Sequence, residues 1–392
     1  MLSKPTASRV RAAVTSAVVV FAVALAAALS SCGARQEAGR AAGSAAGPAE
    51  PEEKVLNVYN WSDYIAPDLV RAFERESGIK VNYDVYDSNA VLETKLLTGR
   101  TGYDVVVPTG AFMSREIPAG AFLKLDKSLL PNLRNIDAEI LRQSEPFDPG
   151  HEYGAHYLLS TSGVGYNLAM ITAAMPDAPV DSLRMLFDPS VIRHFQKCGI
   201  TFIDAPDEAV NTVLLYLGRR PNSERPEDLA AAEKVLMAIR PYVRTVEASK
   251  YIEDLANGDI CLVFGWSGDV GQAAARAREA ANGQVIRYSI PREGAMMYFD
   301  YLAIPADAAH PRNAHLFIDY MLRADVGAKN ANFLRYATAN AAAYPLIEPA
   351  LYNDHSIYPT AAARARLVPD LPRSQAYTRE LTRMWTRFKA GR

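Results

Sequence analysis

From residue 55 onward the apolar positions follow two alternating rhythms. Val55, Leu56 and Val58 form a short apolar run punctuated by Asn60, and Ala66-Pro67-Asp68 then sets proline at a first helical position. Leu69, Val70 and Phe73 recur at helical spacing, with Asp68, Arg71, Glu74 and Arg75 turned elsewhere and Ser77-Gly78 as the stop. Alternation takes over at Ile79, Val81, Tyr83 and Val85, Asp87-Ser88-Asn89 supplies capping oxygens, and Leu92, Leu96 and Leu97 make a second helical stripe ended by Thr98-Gly99. The run Tyr103-Asp104-Val105-Val106-Val107-Pro108 predicts a third, fully buried strand. This βαβαβ order implies a parallel sheet with both faces covered by helices.

Phe122 to Asp126 and Leu130-Pro131-Asn132-Leu133 continue that unit without evident chemistry. The apolar, small-residue stretch 157–167 includes Gly163-Val164-Gly165, which lacks the third glycine and the following helix of a dinucleotide loop, so it reads as an extended crossover. A second α/β unit then begins. Ile200 to Ile203 predicts a strand, Asp204-Ala205-Pro206-Asp207-Glu208 opens a helix with Val213, Leu214 and Leu217 inward, and residues 226–239 and 251–256 predict two more helices. Glu208 in a first helical turn is also where the macrodipole alone favours an acid. The buried run Ile260 to Phe264 leads to a predicted loop, Gly265-Trp266-Ser267-Gly268-Asp269, before a helix over 270–280. Gly268 falls one place too early for the G-x-S-x-G elbow of a serine hydrolase. Tyr288-Ser289-Ile290-Pro291 is a candidate return crossover, Phe317, Tyr320, Met321 and Leu322 form the inner face of a helix, and Tyr336 falls in the loop after it. The last helix carries Leu381, Met384, Trp385 and Phe388 on one side among Arg379, Arg383, Arg387 and Lys389, which suits a closing helix packed on the fold or, alternatively, an anionic membrane surface.

One arrangement recurs along this path. Trp61-Ser62-Asp63-Tyr64 leaves the first strand, Trp266 to Asp269 leaves a later one, and Met297-Tyr298-Phe299-Asp300-Tyr301 sets a third acid between aromatics, read here as a third loop. Ligands of open α/β sheets bind at the carboxyl ends of strands, where the first two of these lie. The alternative for the first loop makes Trp61 and Tyr64 core aromatics and Asp63 a helix cap.

Composition narrows the field. At 392 residues the chain exceeds the usual size of one hydrophobic core, so two domains are expected. Hydrophobic residues make up 49% and the formal net charge is −2, which excludes the basic excess of a nucleic-acid binder. The N-terminus is a targeting segment. Lys4, Arg9 and Arg11 precede an apolar run ending in Leu29-Ser30-Ser31-Cys32, a bacterial lipobox, so residues 1–31 read as a cleaved lipoprotein signal peptide and Cys32 as the lipidated N-terminus; an ordinary signal peptide or an uncleaved anchor is the alternative. The Ala-, Gly-, Glu- and Pro-rich residues up to 53 read as a disordered tether. Cys198 and Cys261 remain; in an exported chain they most simply pair, and two buried reduced thiols are the alternative. The six histidines are scattered, and His310 with His315 lacks the spacing and acidic companions of a zinc site, so no metal or cofactor is expected.

Desolvated carboxylates are unfavourable unless they meet a cation, and aromatic faces attract cations while covering methylene chains. A linear molecule with ammonium ends satisfies both. The runs Tyr59-Asn60-Trp61-Ser62-Asp63-Tyr64-Ile65, Tyr83-Asp84-Val85-Tyr86-Asp87-Ser88-Asn89, Leu255-Ala256-Asn257-Gly258-Asp259-Ile260-Cys261 and Ile290-Pro291-Arg292-Glu293-Gly294-Ala295-Met296 closely resemble the bacterial periplasmic polyamine-binding proteins of ABC importers, nearest to the putrescine-binding members, over residues 54–392. The resemblance implies an α/β, two-lobed periplasmic-binding-protein fold of type II with a ligand cleft between lobes that closes on its ligand. It places chain crossings near 157–162 and 286–291, one lobe at 54–156 and 287–347, and the other at 157–286 and 348–392. By the same resemblance, Asp269 and Asp300 would meet the two ammonium ends, Trp61, Tyr64, Trp266, Tyr298 and Tyr336 would box the alkyl chain, and Ser62, Asp63, Thr109 and Glu208 would add polar contacts, direct or through water. It also implies the Cys198–Cys261 disulfide.

Three positions depart from the putrescine pattern: Tyr298 stands for Phe, Thr109 for Ser and Ser267 for Ala. The added hydroxyls keep agmatine, cadaverine and spermidine open as ligands. The implied partners are a small polyamine, an inner-membrane ABC permease and, through Cys32, a membrane; a monomer is expected. A polyamine-sensing lipoprotein signalling to a membrane partner is the alternative function. An enzyme is disfavoured, since acids without a positioned base, nucleophile or metal make no reaction.

Overall fold

The computed structural model describes residues 52–391. The residues expected to form a signal peptide, Cys32 and the expected tether up to residue 51 lie outside the described residues. The last two residues of the expected tether are already fastened to the fold: the Glu52 carboxylate accepts from the backbone N–H groups of Arg312 and Asn313, both at 2.9 Å, at the start of the helix Pro311–Met321, and the Glu53 carbonyl accepts from the Asn313 side-chain amide at 2.8 Å.

Among the described residues eleven strands join one sheet: β1 (Val55–Trp61), β2 (Lys80–Tyr86), β3 (Val105–Val106), β4 (Gly154–Asn167), β5 (Ile200–Ile203), β6 (Thr245–Glu247), β7 (Leu262–Trp266), β8 (Ile286–Ser289), β9 (Ala295–Ala303), β10 (Ala337–Thr338) and β11 (Leu367–Pro369). The main path runs β2-β1-β3-β9-β4-β7-β5-β6. Both βαβ ends are parallel, β2-β1-β3 on one side and β7-β5-β6 on the other. Antiparallel β9 and β4 join them, so the sheet is mixed; parallel pairing holds at its flanks and where β11 lies along β9. The third predicted strand shrinks to Val105–Val106, although Val105, Val106 and Val107 are all fully buried.

Two helices show the expected end signals. Pro67–Ser77 begins on proline and ends at Gly78 in the left-handed region (φ 69°), and Asn89–Thr98 takes Ser88 as its cap, the Ser88 side chain accepting from Val91 N–H. Two expected core positions are corrected. Leu97 is 56% exposed because the stripe of that helix is only Leu92 and Leu96, and Leu217 falls just past the helix Pro206–Tyr216, where it is 38% exposed. The last helix, Gln375–Ala390, buries Leu381, Met384, Trp385 and Phe388 in a core, each worth roughly 1.5–3 kcal/mol. Its Trp385 indole N–H donates to Asp204 at 2.6 Å, so this face is covered by the fold.

Two large cores form. Leu56, Val58, Phe73, Phe317 and Tyr301 belong to the first, and Phe187, Phe202, Phe264, Leu381 and Phe388 to the second. Strand β4 feeds both, giving Ala155 and Leu158 to the first and Val164 and Tyr166 to the second. Its glycines allow close neighbours: a Cβ on Gly163 would stand 2.6 Å from the Tyr288 hydroxyl and 2.7 Å from the Ser289 carbonyl, and one on Gly165 2.5 Å from Val270. The paired glycines of the crossover are therefore a packing feature, as β7 and β8 both bond to β4 there. Cys198 and Cys261 form a disulfide beside β5 and β7, with Cα atoms 5.5 Å apart.

Candidate functional site

The carboxyl ends of β1, β2 and β7, the middle of β9 and two helix starts meet at the seam between the cores. Trp61 ends β1, and its indole N–H donates to the Val107 carbonyl at 2.9 Å. The Tyr86 hydroxyl donates to the same carbonyl, and the Trp61 ring lies 4.8 Å from Tyr86 and edge-on to Trp266 at 6.4 Å. Both tryptophans are thus held by side chains from more than one element. Trp266 donates its indole N–H to Glu208 at 2.8 Å.

The predicted Trp266 loop does not exist. Strand β7 runs straight into the helix Ser267–Glu279 with Trp266 as its N-cap, which sets Asp269 in the first helical turn. Free N–H groups and the macrodipole favour a carboxylate there. The third predicted loop is also absent: Tyr298 and Asp300 lie within β9, two residues apart and therefore on one face of the strand. Strand periodicity, not a loop, aims them together.

Tyrosines link the two buried acids. Tyr64 donates its hydroxyl to Asp300 at 2.5 Å, Tyr336 donates to one oxygen of Asp269 at 2.5 Å, and Tyr251 donates to the other at 2.7 Å. Tyr64 and Tyr336 meet edge to face with centroids 4.9 Å apart, so an aromatic pair separates Asp300 from Asp269. The second oxygen of Asp300, Oδ1, is buried without a partner. Burial pushes the Asp300 carboxyl up to about 7, and burial raises Asp269 to about 6 against the pull of its two tyrosine donors. Glu208 is raised well above the ordinary carboxylate range by burial and then by the neighbouring Asp370 charge.

These residues enclose a cavity of about 60 Å³ lined by Trp61, Ser62, Tyr64, Thr109, Glu208, Trp266, Asp269, Tyr298, Asp300 and Tyr336. Ten of the eleven residues expected from the sequence therefore line one cavity. Asp63 is the exception. It takes a left-handed backbone (φ 54°), stays half exposed, and pairs with Arg276 at 3.0 Å outside the cavity. Of the three departures from the putrescine pattern, Tyr298 and Thr109 line the cavity, whereas the Ser267 hydroxyl accepts from Thr161 N–H at 3.2 Å instead.

Sequence reading missed Tyr86, Asp87, Asn89, Ser160 and the stretch Ala248, Ser249 and Ile252, which also line it. The parallel β1–β2 pair carried the signal for the first three, because parallel neighbours present their carboxyl ends side by side. Ser62 donates to Asp87 across that gap at 3.0 Å. A second chamber of about 190 Å³ shares Trp61, Glu208, Trp266 and Tyr298 with the first and is lined further by Glu93, Asp204, Asp207 and Asp370 and by Arg115, which pairs with Glu93. Among the described residues no group of three or more His, Cys, Asp or Glu is placed to hold a metal ion.

Two α/β halves sharing long antiparallel strands, with an acidic gap at their seam, mark a protein that holds a solute, and the chain belongs to the bacterial extracellular solute-binding protein family, whose model matches residues 68–360. Its relatives include the putrescine-binding periplasmic protein SpuD of Pseudomonas aeruginosa, 46% identical over 344 residues, which cover 87% of this chain and 93% of the relative. PotF of Escherichia coli, also a putrescine-binding periplasmic protein, is 46% identical over 343 residues with the same coverage of 87% and 93%. The solved structure of a putative spermidine/putrescine ABC transporter from Listeria monocytogenes superposes with a TM-score of 0.78 at 30% identity, covering 87% of this chain and 100% of that one. The type II periplasmic-binding fold expected from the sequence is the fold observed.

Proposed function

We propose that this protein captures a linear polyamine, putrescine in the first place, and delivers it to an ABC import permease. One observation carries the reading: every charged side chain lining the cavity, namely Asp87, Glu208, Asp269 and Asp300, is acidic, and the walls between are aromatic. Buried carboxylates of this kind need cations. A slim diamine supplies one ammonium to Asp269 and one to Asp300, while its methylene chain lies against Trp61, Tyr64, Trp266, Tyr298 and Tyr336. Each ion pair at contact is worth on the order of 4 kcal/mol at an effective dielectric near 20, and each cation-π contact about 0.5–2 kcal/mol. That is enough to hold a small ligand after the losses of association. Two relatives of the chain are named as putrescine-binding, which agrees with the diamine.

In this reading residues 54–156 with 287–347 form one lobe and 157–286 with 348–392 the other, so that Asp300 and Asp269 approach the guest from opposite sides. The separate cores favour that division, except that Tyr157 and Leu158 of β4 pack in the core of the first lobe. The ion pair Asp63–Arg276 holds the closed form from outside the cavity. Lipidated at Cys32 after loss of residues 1–31, the protein stays at a membrane surface beside its permease and acts as a monomer.

A longer amine such as spermidine is a second reading, favoured by the adjoining chamber with Asp204, Asp207 and Asp370. A thermal-shift screen over putrescine, cadaverine, agmatine and spermidine tests both, because a ligand of the folded state raises the melting temperature by mass action. The largest rise is expected with one of these amines. No rise with any of them at millimolar concentration would overturn the proposal.

A further inference from the structure

The helix that carries Asp269 has glycine at two of its first five positions, Gly268 and Gly271. Neither has a positive φ, so the backbone does not require glycine, and alanine is the better helix former at such positions. Packing supplies the reason. A Cβ on Gly268 would stand 2.0 Å from both Cδ2 and Cε2 of the Tyr336 ring, the tightest approach of any glycine described, and one on Gly271 would stand 2.8 Å from the Arg335 Cβ. Carbon atoms in contact rest at about 3.5–4.0 Å. The Tyr336 ring would therefore have to leave its seat.

That seat bridges the two cores. Tyr336 belongs to the core that contains Tyr64 and Leu334, whereas Val270 and Ala273 of the glycine-bearing helix belong to the other. Arg335, in the left-handed region (φ 62°), ends the helix Ala324–Leu334 and turns the chain so that Tyr336 lies across the Gly268 notch with its hydroxyl on Asp269. We propose that Gly268, aided by Gly271, is a positioning residue for ligand capture: the bare helix face is the socket into which Tyr336 docks when the halves close, completing the aromatic wall and orienting Asp269. The proposal rests on the reading of the cavity as a polyamine site.

The two states respond oppositely to a methyl group at Gly268. In the empty, open protein Tyr336 is away from the helix, so Gly268→Ala leaves the melting temperature unchanged or raises it through helix propensity. In the closed protein the methyl group and the ring claim the same space. Calorimetric titration with putrescine should give at least tenfold weaker binding for Gly268→Ala, and small-angle scattering should show the compaction produced by putrescine in the wild type diminished. Tyr336→Ala should weaken binding in the wild type and add less than twofold in the Gly268→Ala background, since the contact is already lost. Should Gly268→Ala alone fail to fold, the Gly268→Ala/Tyr336→Ala pair carries the test and should fold and bind as Tyr336→Ala does.

Equal putrescine affinity in Gly268→Ala and wild type overturns this proposal alone. So does a fall in the melting temperature of the empty variant as large as that of the ligand-bound one, which would make the contact permanent. Wild-type protein that binds no amine defeats the ligand assignment, and this proposal with it.

Discussion

Asp300→Asn separates the charge of the site from its shape. Asp300 Oδ2 takes the Tyr64 hydroxyl at 2.5 Å while Oδ1 has no partner, and burial moves the carboxyl from 3.8 up to about 7. At about 1.4 kcal/mol per pH unit, that rise opposes the charged form by on the order of 4 kcal/mol. An ammonium in contact with Oδ1 returns about as much at an effective dielectric near 20. The guest therefore offsets most of the cost of carrying the charge. Because the folded value lies above the unfolded one, Asp300's contribution to the stability of the empty protein is present below about pH 4 and is lost as pH rises through about 7. Asparagine keeps the shape and removes that loss. At pH near 8 the empty Asp300→Asn protein should thus melt at or above the wild type, whereas its affinity for putrescine should fall about 100- to 1,000-fold, equivalent to roughly 3–4 kcal/mol. Differential scanning fluorimetry without ligand and calorimetric titration with ligand read the two effects separately. Near-native affinity in the variant would refute the reasoning.

Further outcomes follow from other groups. Since Asp269 rests at about 6 and Asp300 at about 7 when empty, binding a dication should release protons near neutrality and weaken as pH falls below about 6; titrations in buffers of differing ionisation heat check this, and a pH-independent affinity between about 5 and 8 would contradict it. Arg276→Gln removes the 3.0 Å pair with the half-exposed Asp63, a contact worth about 0–1 kcal/mol, so affinity should drop only a few-fold and the drop should shrink in high salt. Replacing both Cys198 and Cys261 by alanine opens a link across 63 residues and should lower stability to denaturant by about 2–4 kcal/mol with little change in amine affinity. A loss of binding equal to the loss of stability would tie the disulfide to the cavity instead.

Local chemistry made much of the fold legible. Proline at the start and glycine at the end bounded Pro67–Ser77, and the helix expected over 226–239 is observed as Pro226–Ile239. What misled was the assumption that aromatic-acid pairs must sit on loops. Asp269 lies in a helix turn and Asp300 within a strand, since both are buried and their backbones need regular partners. Asp63 was assigned to the site by the family resemblance, but its left-handed backbone turns it outward to Arg276. The reach of Tyr251 to Asp269 could not be read from local pattern, because a strand separates the two helices that carry them. Nor could the Gly268 notch, whose reason is a ring 68 residues later in the chain, at Tyr336.

The most direct measurement compares putrescine with 1,4-butanediol, which has the same chain and no charge, in one calorimetric experiment on the wild-type protein near pH 8. Saturable one-to-one binding of the diamine with no heat from the diol is the predicted result. Comparable binding of both, or of neither, would contradict the claim that paired buried carboxylates select a doubly charged guest.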